Sequence, residues 1–379
     1  MRYALGEEHE QIRQAARQFA ERELAPRAIE VDLSGEFPED NVEKLRKYGY
    51  LGMNLPEEFG GGGMDMLSHT VAEEEIARCC AATAVIMSVH NILFGETVLN
   101  SARGTVREEV LRQVATGERL GAFALTEPEA GSDAGAITTT AVREGAEYVL
   151  NGRKTFISNA GVAHWYIVCA TMDRSKGTKG ITAFLVEKGQ PGFSFGKPED
   201  KMGIRGSKTA DLILDGVRVR EARRLGEEGE GFKIAMGALD HGRIGIAAQA
   251  LGIAQAALDA SVNYAKQRVQ FGKPIATLQA IQWMIAEMAV DIEAARLLVY
   301  RAAELAGQPG RHSEFFAMAK LFASTTAMKH TVKAVQVHGG YGYMREYKVE
   351  RLMRDAKITE IYEGTSEIMK LIIAQSLLR

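Results

Sequence analysis

One segment, Ile361-Tyr362-Glu363-Gly364-Thr365-Ser366-Glu367-Ile368, sets a single carboxylate on a glycine hinge just ahead of an apolar run. Glycine permits positive φ and close approach of backbone to a ligand, and Thr365 or Ser366 can cap the helix predicted from Ile368 to Leu378. A carboxylate so placed leaves the helical repeat and can aim into a pocket, where it would act as a general base. The competing reading is an exposed acid in a capped turn, with no chemistry attached.

A second segment, Ala124-Leu125-Thr126-Glu127-Pro128-Glu129-Ala130-Gly131-Ser132-Asp133, leads into an apolar, Thr-rich stretch from Ala134 to Ala141. Further along stand Met202-Gly203-Ile204-Arg205-Gly206-Ser207, Arg268-Val269-Gln270-Phe271-Gly272, Gln336-Val337-His338-Gly339-Gly340-Tyr341-Gly342 and Arg354-Asp355-Ala356-Lys357-Ile358. Any one of these strings could serve a turn, but taken together and in this order they form a signature. From about Glu7 to its C-terminus the chain resembles the acyl-CoA dehydrogenase family.

The elements that must hold these residues fall into three blocks. From Glu7 to about Gly117 the pattern is helical, with Ile12, Ala16, Phe19 and Ala20 on one face and Pro26 closing the first helix. Gly60-Gly61-Gly62-Gly63 reads as a flexible turn, since no strand precedes it and no Lys-Ser/Thr follows as in a phosphate loop. From about Leu120 to Leu225 short β-rich runs take over: Glu147 to Leu150, Trp165 to Thr171, Ile181 to Val186 and Asp211 to Leu214, with Asn151-Gly152 as a hairpin turn. That texture predicts a small β-barrel or sandwich. From Gly231 onward Phe232 to Gln267, Leu278 to Ala306, Ser313 to Val337 and the final helix predict a bundle of about four helices. The expected fold is therefore mainly α with a central β domain, divided at 1–118, 119–228 and 229–379. The resemblance implies the same order.

Composition sets independent bounds. With 379 residues, 46% of them hydrophobic and 25% charged, the chain can bury a large core in two or three domains. A net charge of −3 offers no electrostatic reason to expect nucleic acid or an anionic membrane as partner. The basic stretch from Arg218 to Arg224 is interrupted by acids and reads as solvated surface. Cys79, Cys80 and Cys169 cannot all pair, and adjacent Cys79-Cys80 read as small core residues rather than as a disulfide or metal site, which favours a reducing compartment. The first ten residues show neither an apolar signal core nor an Arg-rich transit pattern, and no apolar run reaches the roughly 18 to 20 residues that span a bilayer. A cytoplasmic location is expected.

No Gly-x-Gly-x-x-Gly follows a strand, so a flavin must be held by something other than a Rossmann site. The resemblance implies FAD between the β domain and the bundle. On matching positions Phe123, Leu125, Thr126, Gly131 and Ser132 would line the isoalloxazine and ribityl chain, and Phe156, Ile157 and Ser158 would flank the ring. Many relatives carry Trp where Phe156 stands. Arg268 matches the pyrophosphate-binding arginine, a role that suits a planar guanidinium. Phe271 would lie on the adenine, with Gln279, Gln336, Gly339, Gly340, Thr365 and Glu367 around the rest of the cofactor. In relatives several of these come from a neighbouring subunit, so a homotetramer is expected. The CoA portion would meet Asp240 and Arg243, with Ser132 and Gly364 as further substrate contacts; His241 receives no role.

The reaction so implied is FAD-dependent α,β-dehydrogenation of a short- to medium-chain or short-branched acyl-CoA to the trans-2-enoyl-CoA, with electrons passed to an electron-transferring flavoprotein. Glu363 would remove the α proton, and its own backbone N–H would help polarise the thioester carbonyl. Relatives for isovaleryl and long-chain groups carry the base where this chain has Gly242, which narrows the subclass. No Lys or Arg lies between Ala81 and Ala102, a segment expected near the acyl tail, so a glutaryl group is disfavoured. Two rivals share the fold: an acyl-CoA oxidase, longer in known relatives, and a nucleic-acid-associated member, which carries a basic C-terminal region where this chain stops at Arg379. The pathway, fatty-acid or amino-acid catabolism, is left open.

Overall fold

The computed structural model describes residues 5–378, so part of the N-terminal stretch read for targeting signals, Met1 to Ala4, and Arg379 lie outside the described residues. The first block opens on helix α1 (Glu7–Phe19), whose face Ala16, Phe19 and, just beyond it, Ala20 is buried. Pro26 does not release the chain from helical geometry. A π-helical turn (Ala20–Leu24) and a 3-10 turn (Ala25–Arg27) carry it into α2 (Ala28–Ser34), with the proline in the first turn of a segment, where its missing N–H is harmless. Helices α3 (Glu39–Lys47), α4 (Met66–Cys79), α5 (Ala81–Ser88), α6 (Thr97–Ser101) and α7 (Gly104–Ala115) complete the block.

The four-glycine stretch is packed rather than flexible. A Cβ on Gly61 would stand 2.2 Å from the Leu55 carbonyl oxygen and one on Gly62 2.7 Å from that of Met53. Amides of Gly61, Gly62 and Gly63 donate to Pro56, Gly52 and Leu55 oxygens. Glycine is required here for backbone-to-backbone contact, and no phosphate cradle is formed.

The middle block is an eight-stranded, mainly antiparallel sheet: β1 (Gly121–Ala124), β2 (Thr140–Glu144), β3 (Glu147–Ser158), β4 (Trp165–Thr171), β5 (Ile181–Glu187), β6 (Phe193–Phe195), β7 (Thr209–Arg220) and β8 (Arg224–Leu225). Strand β4 is buried along its whole length and pairs with β1, β2 and β5. Asn151-Gly152 is not the hairpin turn. It lies inside β3 at a register shift, where a Cβ on Gly152 would stand 2.5 Å from Thr139 Oγ1 and Asn151 Oδ1 accepts from the Gly216 amide at 2.8 Å. The turn between β2 and β3 is Gly145-Ala146, with Gly145 at φ +64°.

In the last block α8 (Gly231–Gln267), α9 (Gln279–Ala306), α10 (Ser313–His338) and α12 (Ser366–Leu377) match the expected helices, and α11 (Lys348–Ile358) adds a fifth. Between α8 and α9 the chain makes a small hairpin, β9 (Val269–Gln270) with β10 (Lys273–Pro274). The stretches Ala81–Ser101 and Gly231–Gln267 are long and apolar enough to cross a membrane by length and composition, contrary to the expectation that no run is. Both are mostly buried inside the fold, as core helices of a globular protein are.

Two of the sequence strings turn out to tie the blocks together. The Ile204 amide donates to Asp355 Oδ1 at 2.5 Å, and a Cβ on Gly203 would stand 2.3 Å from the Arg354 carbonyl oxygen. Arg354 makes paired bonds of 2.6 and 2.9 Å to the Asp32 carboxylate on α2, whose carbonyl accepts from Arg205. The Met202–Ser207 and Arg354–Ile358 strings are thus a lock between the three blocks.

Candidate active site

Glu363 follows α11 and stands in the left-handed region at φ +54°, uncommon for a residue with a side chain. Thr365 caps α12 as expected, its Oγ accepting from the Ile368 amide at 3.3 Å. The turn throws the Glu363 carboxylate against α8. Oε2 is shut off from solvent, has no hydrogen-bond partner and lies 2.0 Å from where a Cβ on Gly242 would stand, with Leu93 beside it. Burial pushes the carboxyl up to about 7 against the opposing pull of Lys320 and Arg243. A group left unpaired and half-way through its titration near neutral pH is poised to take a proton.

Around it the CoA candidates assemble. Arg243 is buried, is paired with Asp240 and keeps Nε unpartnered; the Asp240 Oδ2 accepts from Ser313 Oγ at 2.6 Å. Gly364 lies close to Arg243, a Cβ there falling 3.9 Å from its Nε. Sequence reasoning passed over Lys320. From the middle of α10, fully buried, it donates to the Gly364 carbonyl oxygen at 2.5 Å, and burial lowers it to about 8. The available signal was a lone lysine inside the apolar run Phe315 to Phe322. His241 Nδ1 is bonded to Glu96 at 2.8 Å, away from any role in proton removal.

The flavin candidates form two groups. Phe123 and Leu125 are buried at the end of β1, and the Thr126 carbonyl accepts from the Thr155 amide, which sets Thr126 beside Phe156. Phe156 sits on a second register shift of β3, at φ +58°, and is 67% exposed; Ile157 is buried and Ser158 half-buried behind it. Gly131 and Ser132 are exposed just past the tight Glu127 to Ala130 turn. Sequence reasoning missed what holds this group. The buried Lys154 donates to the Leu125 carbonyl (2.9 Å) and to Glu127 Oε1 (2.8 Å), while Thr138 and Thr139 donate to the same carboxylate. Burial alone would raise Glu127, but Lys154 and these bonds outweigh it and hold it at about 2.

In the second group Arg268, Gln336, Gly339 and Gly340 line one cavity of about 520 Å³ with Tyr264 and Tyr341. Arg268 stacks on Tyr341 and has no carboxylate partner among the described residues. Phe271 and Gln279 are not joined to either group. Phe271 is 89% exposed at the tip of the β9–β10 hairpin, where it and Gly272 both have positive φ, and Gln279 is exposed at the start of α9. Glu367 is exposed in the first turn of α12. The fit to a dinucleotide flavin is good: an unpaired guanidinium for phosphate oxygens, glycines that leave room at Gly339 and Gly340, and outward aromatics for ring faces.

Family profiles match nearly the whole chain: acyl-CoA dehydrogenase N-terminal domain over 6–118, middle domain over 122–217 and C-terminal domain over 229–378. The chain belongs to the acyl-CoA dehydrogenase family. It is an FAD-dependent oxidoreductase acting on acyl-CoA. It is 49% identical to a short-chain-specific acyl-CoA dehydrogenase of Clostridium acetobutylicum, with 100% of each chain covered. Butyryl-CoA dehydrogenase from Megasphaera elsdenii superposes with a TM-score of 0.97 at 46% identity, and a chain from a structure of the electron transferring flavoprotein of Acidaminococcus fermentans with 0.98 at 48%; coverage is complete for both.

Proposed function

We propose that this acyl-CoA dehydrogenase converts a short-chain saturated acyl-CoA to its trans-2-enoyl-CoA, with Glu363 as the base, and passes electrons to an electron-transferring flavoprotein. The observation that carries it is the Glu363 carboxylate, unpartnered and leaning on the bare α-carbon of Gly242. The same contact argues against a base at position 242 of α8, because a side chain there would need the space that the carboxylate fills. FAD, when bound, supplies the hydride acceptor. Phe156 and Thr126 would flank its ring, and Arg268, Gln336, Gly339 and Gly340 would hold its phosphate end. Asp240 and Arg243 would take the CoA portion, and the Glu363 backbone N–H would face the thioester oxygen, made rigid by the Lys320 bond to the next carbonyl.

Similarity to the short-chain and butyryl-CoA enzymes supports the chain length, and similarity to a chain solved with an electron transferring flavoprotein supports the acceptor. We further propose a homotetramer that completes each flavin site with Phe271 and Gln279 of a neighbour, because both project outward from the chain that carries them. A cytoplasmic location accords with the three free cysteines. The test is anaerobic bleaching of the bound flavin by acyl-CoAs from butyryl to palmitoyl. Bleaching fastest with the shortest chains is the expected result; no bleaching by any of them would overturn the reading.

A further inference from the structure

A buried carboxyl and imidazole remain outside the chemistry above. Glu73 and His69 stand one turn apart on α4, both fully buried, with His69 Nδ1 3.5 Å from Glu73 Oε2. Neither ring nitrogen of His69 meets a hydrogen-bond partner among the described residues, and the Glu73 carboxyl has only the neighbouring Ser88 hydroxyl within reach. Buried polar atoms are nearly always paired, so an imidazole with both nitrogens unpaired beside a carboxyl served by a single hydroxyl calls for a reason.

Their surroundings supply it. Glu73 Oε2 lies 3.1 Å from where a Cβ on Gly245 of α8 would stand, with Ser88 Oγ at 2.3 Å and Ile92 Cδ1 at 3.1 Å from the same point. Gly242, the glycine against which Glu363 leans, precedes Gly245 by three residues on the same face of α8, about 4.5 Å along the helix. Two carboxyls therefore bracket a glycine-faced strip of α8, against which Leu93, Ser88 and Ile92 pack. One end holds the base for the reacting carbons, and the other ends in Glu73, His69 and Ser88. Burial drives Glu73 to keep its proton against the opposing bond from Ser88, and the Glu363 charge adds to burial, so the two ends sense one another. Burial also holds His69 down at about 4, so burial favours the uncharged form of both groups, which together offer donors and acceptors.

We propose that Glu73, His69 and Ser88 form a polar floor to the acyl pocket and select a short acyl-CoA whose distal carbon bears an uncharged hydrogen-bonding group, of which hydroxyl is the simplest, over the plain alkyl chain. The proposal rests on Glu363 as the base for an acyl-CoA. A distal hydroxyl would accept from the protonated carboxyl and donate to the carboxyl or the imidazole. A terminal methyl would leave His69 unpaired and Glu73 with Ser88 alone, and a distal carboxylate would find a neutral histidine instead of a cation. Sites built to bond a substrate hydroxyl discriminate strongly against the analogue that lacks it.

The experiment compares kcat/KM for ω-hydroxyacyl-CoAs and unsubstituted acyl-CoAs of four to six carbons, by anaerobic bleaching of the FAD-loaded protein. A hydroxyl-to-plain ratio of at least about tenfold at one length is expected, falling below one in Glu73→Leu and retained in Glu73→Gln. A wild-type ratio below one at every length would overturn the proposal, as would a ratio that Glu73→Leu leaves unchanged. Should Glu73→Leu fail to fold, the wild-type and Glu73→Gln ratios decide alone. Bleaching by plain chains only sinks the polar floor and leaves the dehydrogenase intact, whereas bleaching by neither series sinks the dehydrogenase reading and the floor with it.

Discussion

At Glu363 the same burial that makes a base also costs stability. A carboxyl raised to about 7 is half ionised near neutrality, so kcat/KM for a short acyl-CoA should climb tenfold per pH unit up to about 7 and level off above it. A profile flat from pH 5 to 8 would remove Glu363 from the role. Stability runs the other way. The folded state binds the proton more tightly than the unfolded chain, whose carboxyl has the ordinary value of 4.5, so this contribution is intact below 4.5 and is lost as pH rises through about 7. Roughly 3 kcal/mol separates the two limits. Glu363→Gln should therefore keep its flavin and lose roughly 10²–10⁴-fold in turnover. It should also melt higher than wild type at pH 8 but not at pH 4.5, a difference that thermal unfolding at the two pH values would reveal. Gly242→Ala is the complementary change. Its methyl would displace Oε2, and a drop of about tenfold or more in kcat with FAD content unchanged is expected; undiminished turnover would show that the carboxylate does not need that space.

Elements explain how exposed or strained residues are kept in place. Glu363, Phe156 and Phe271 are three of the five described non-glycine residues with positive φ, and each lies at a different kind of break: a helix-to-helix turn, a β-bulge and a hairpin tip. The sequence made the first legible, because Gly364 and the Thr365 cap are local signals. It misplaced the Asn151-Gly152 turn, since the hairpin signature does not distinguish a turn from a bulge whose partner strand comes nearly 60 residues later, at β7. Long-range pairs such as Lys154 with Glu127 and Lys320 with the Gly364 carbonyl have no local signature at all. The Lys154 pair carries a prediction of its own. Lys154→Met leaves Glu127 buried without its cation and frees the Leu125 carbonyl, so a loss of about 3–5 kcal/mol in denaturant unfolding and release of FAD during gel filtration are expected. Full retention of FAD would mean that the brace does not shape the flavin site.

Over the whole molecule, the lock among Asp32, Arg354, Asp355 and Ile204 ties the three blocks together, while α9 carries an exposed apolar face. Trp283, Val290 and Leu297 are 60%, 68% and 40% exposed and recur every seven residues, which puts them on one stripe of the helix. Apolar area of that kind is normally covered by another subunit. The hairpin bearing Phe271 and the Gln279 start of α9 lie on the same run of chain, so covering the stripe would also bring these residues toward a neighbour's flavin. In the proposed assembly, subunit association and cofactor retention would be a single equilibrium. Replacing Trp283 and Val290 by lysine should lower the mass seen in sedimentation and raise the FAD dissociation constant together, with excess FAD partly restoring the larger species. Smaller particles that retain FAD at wild-type affinity would show instead that each chain completes its own flavin site, and would return Phe271 and Gln279 to the surface of their own subunit.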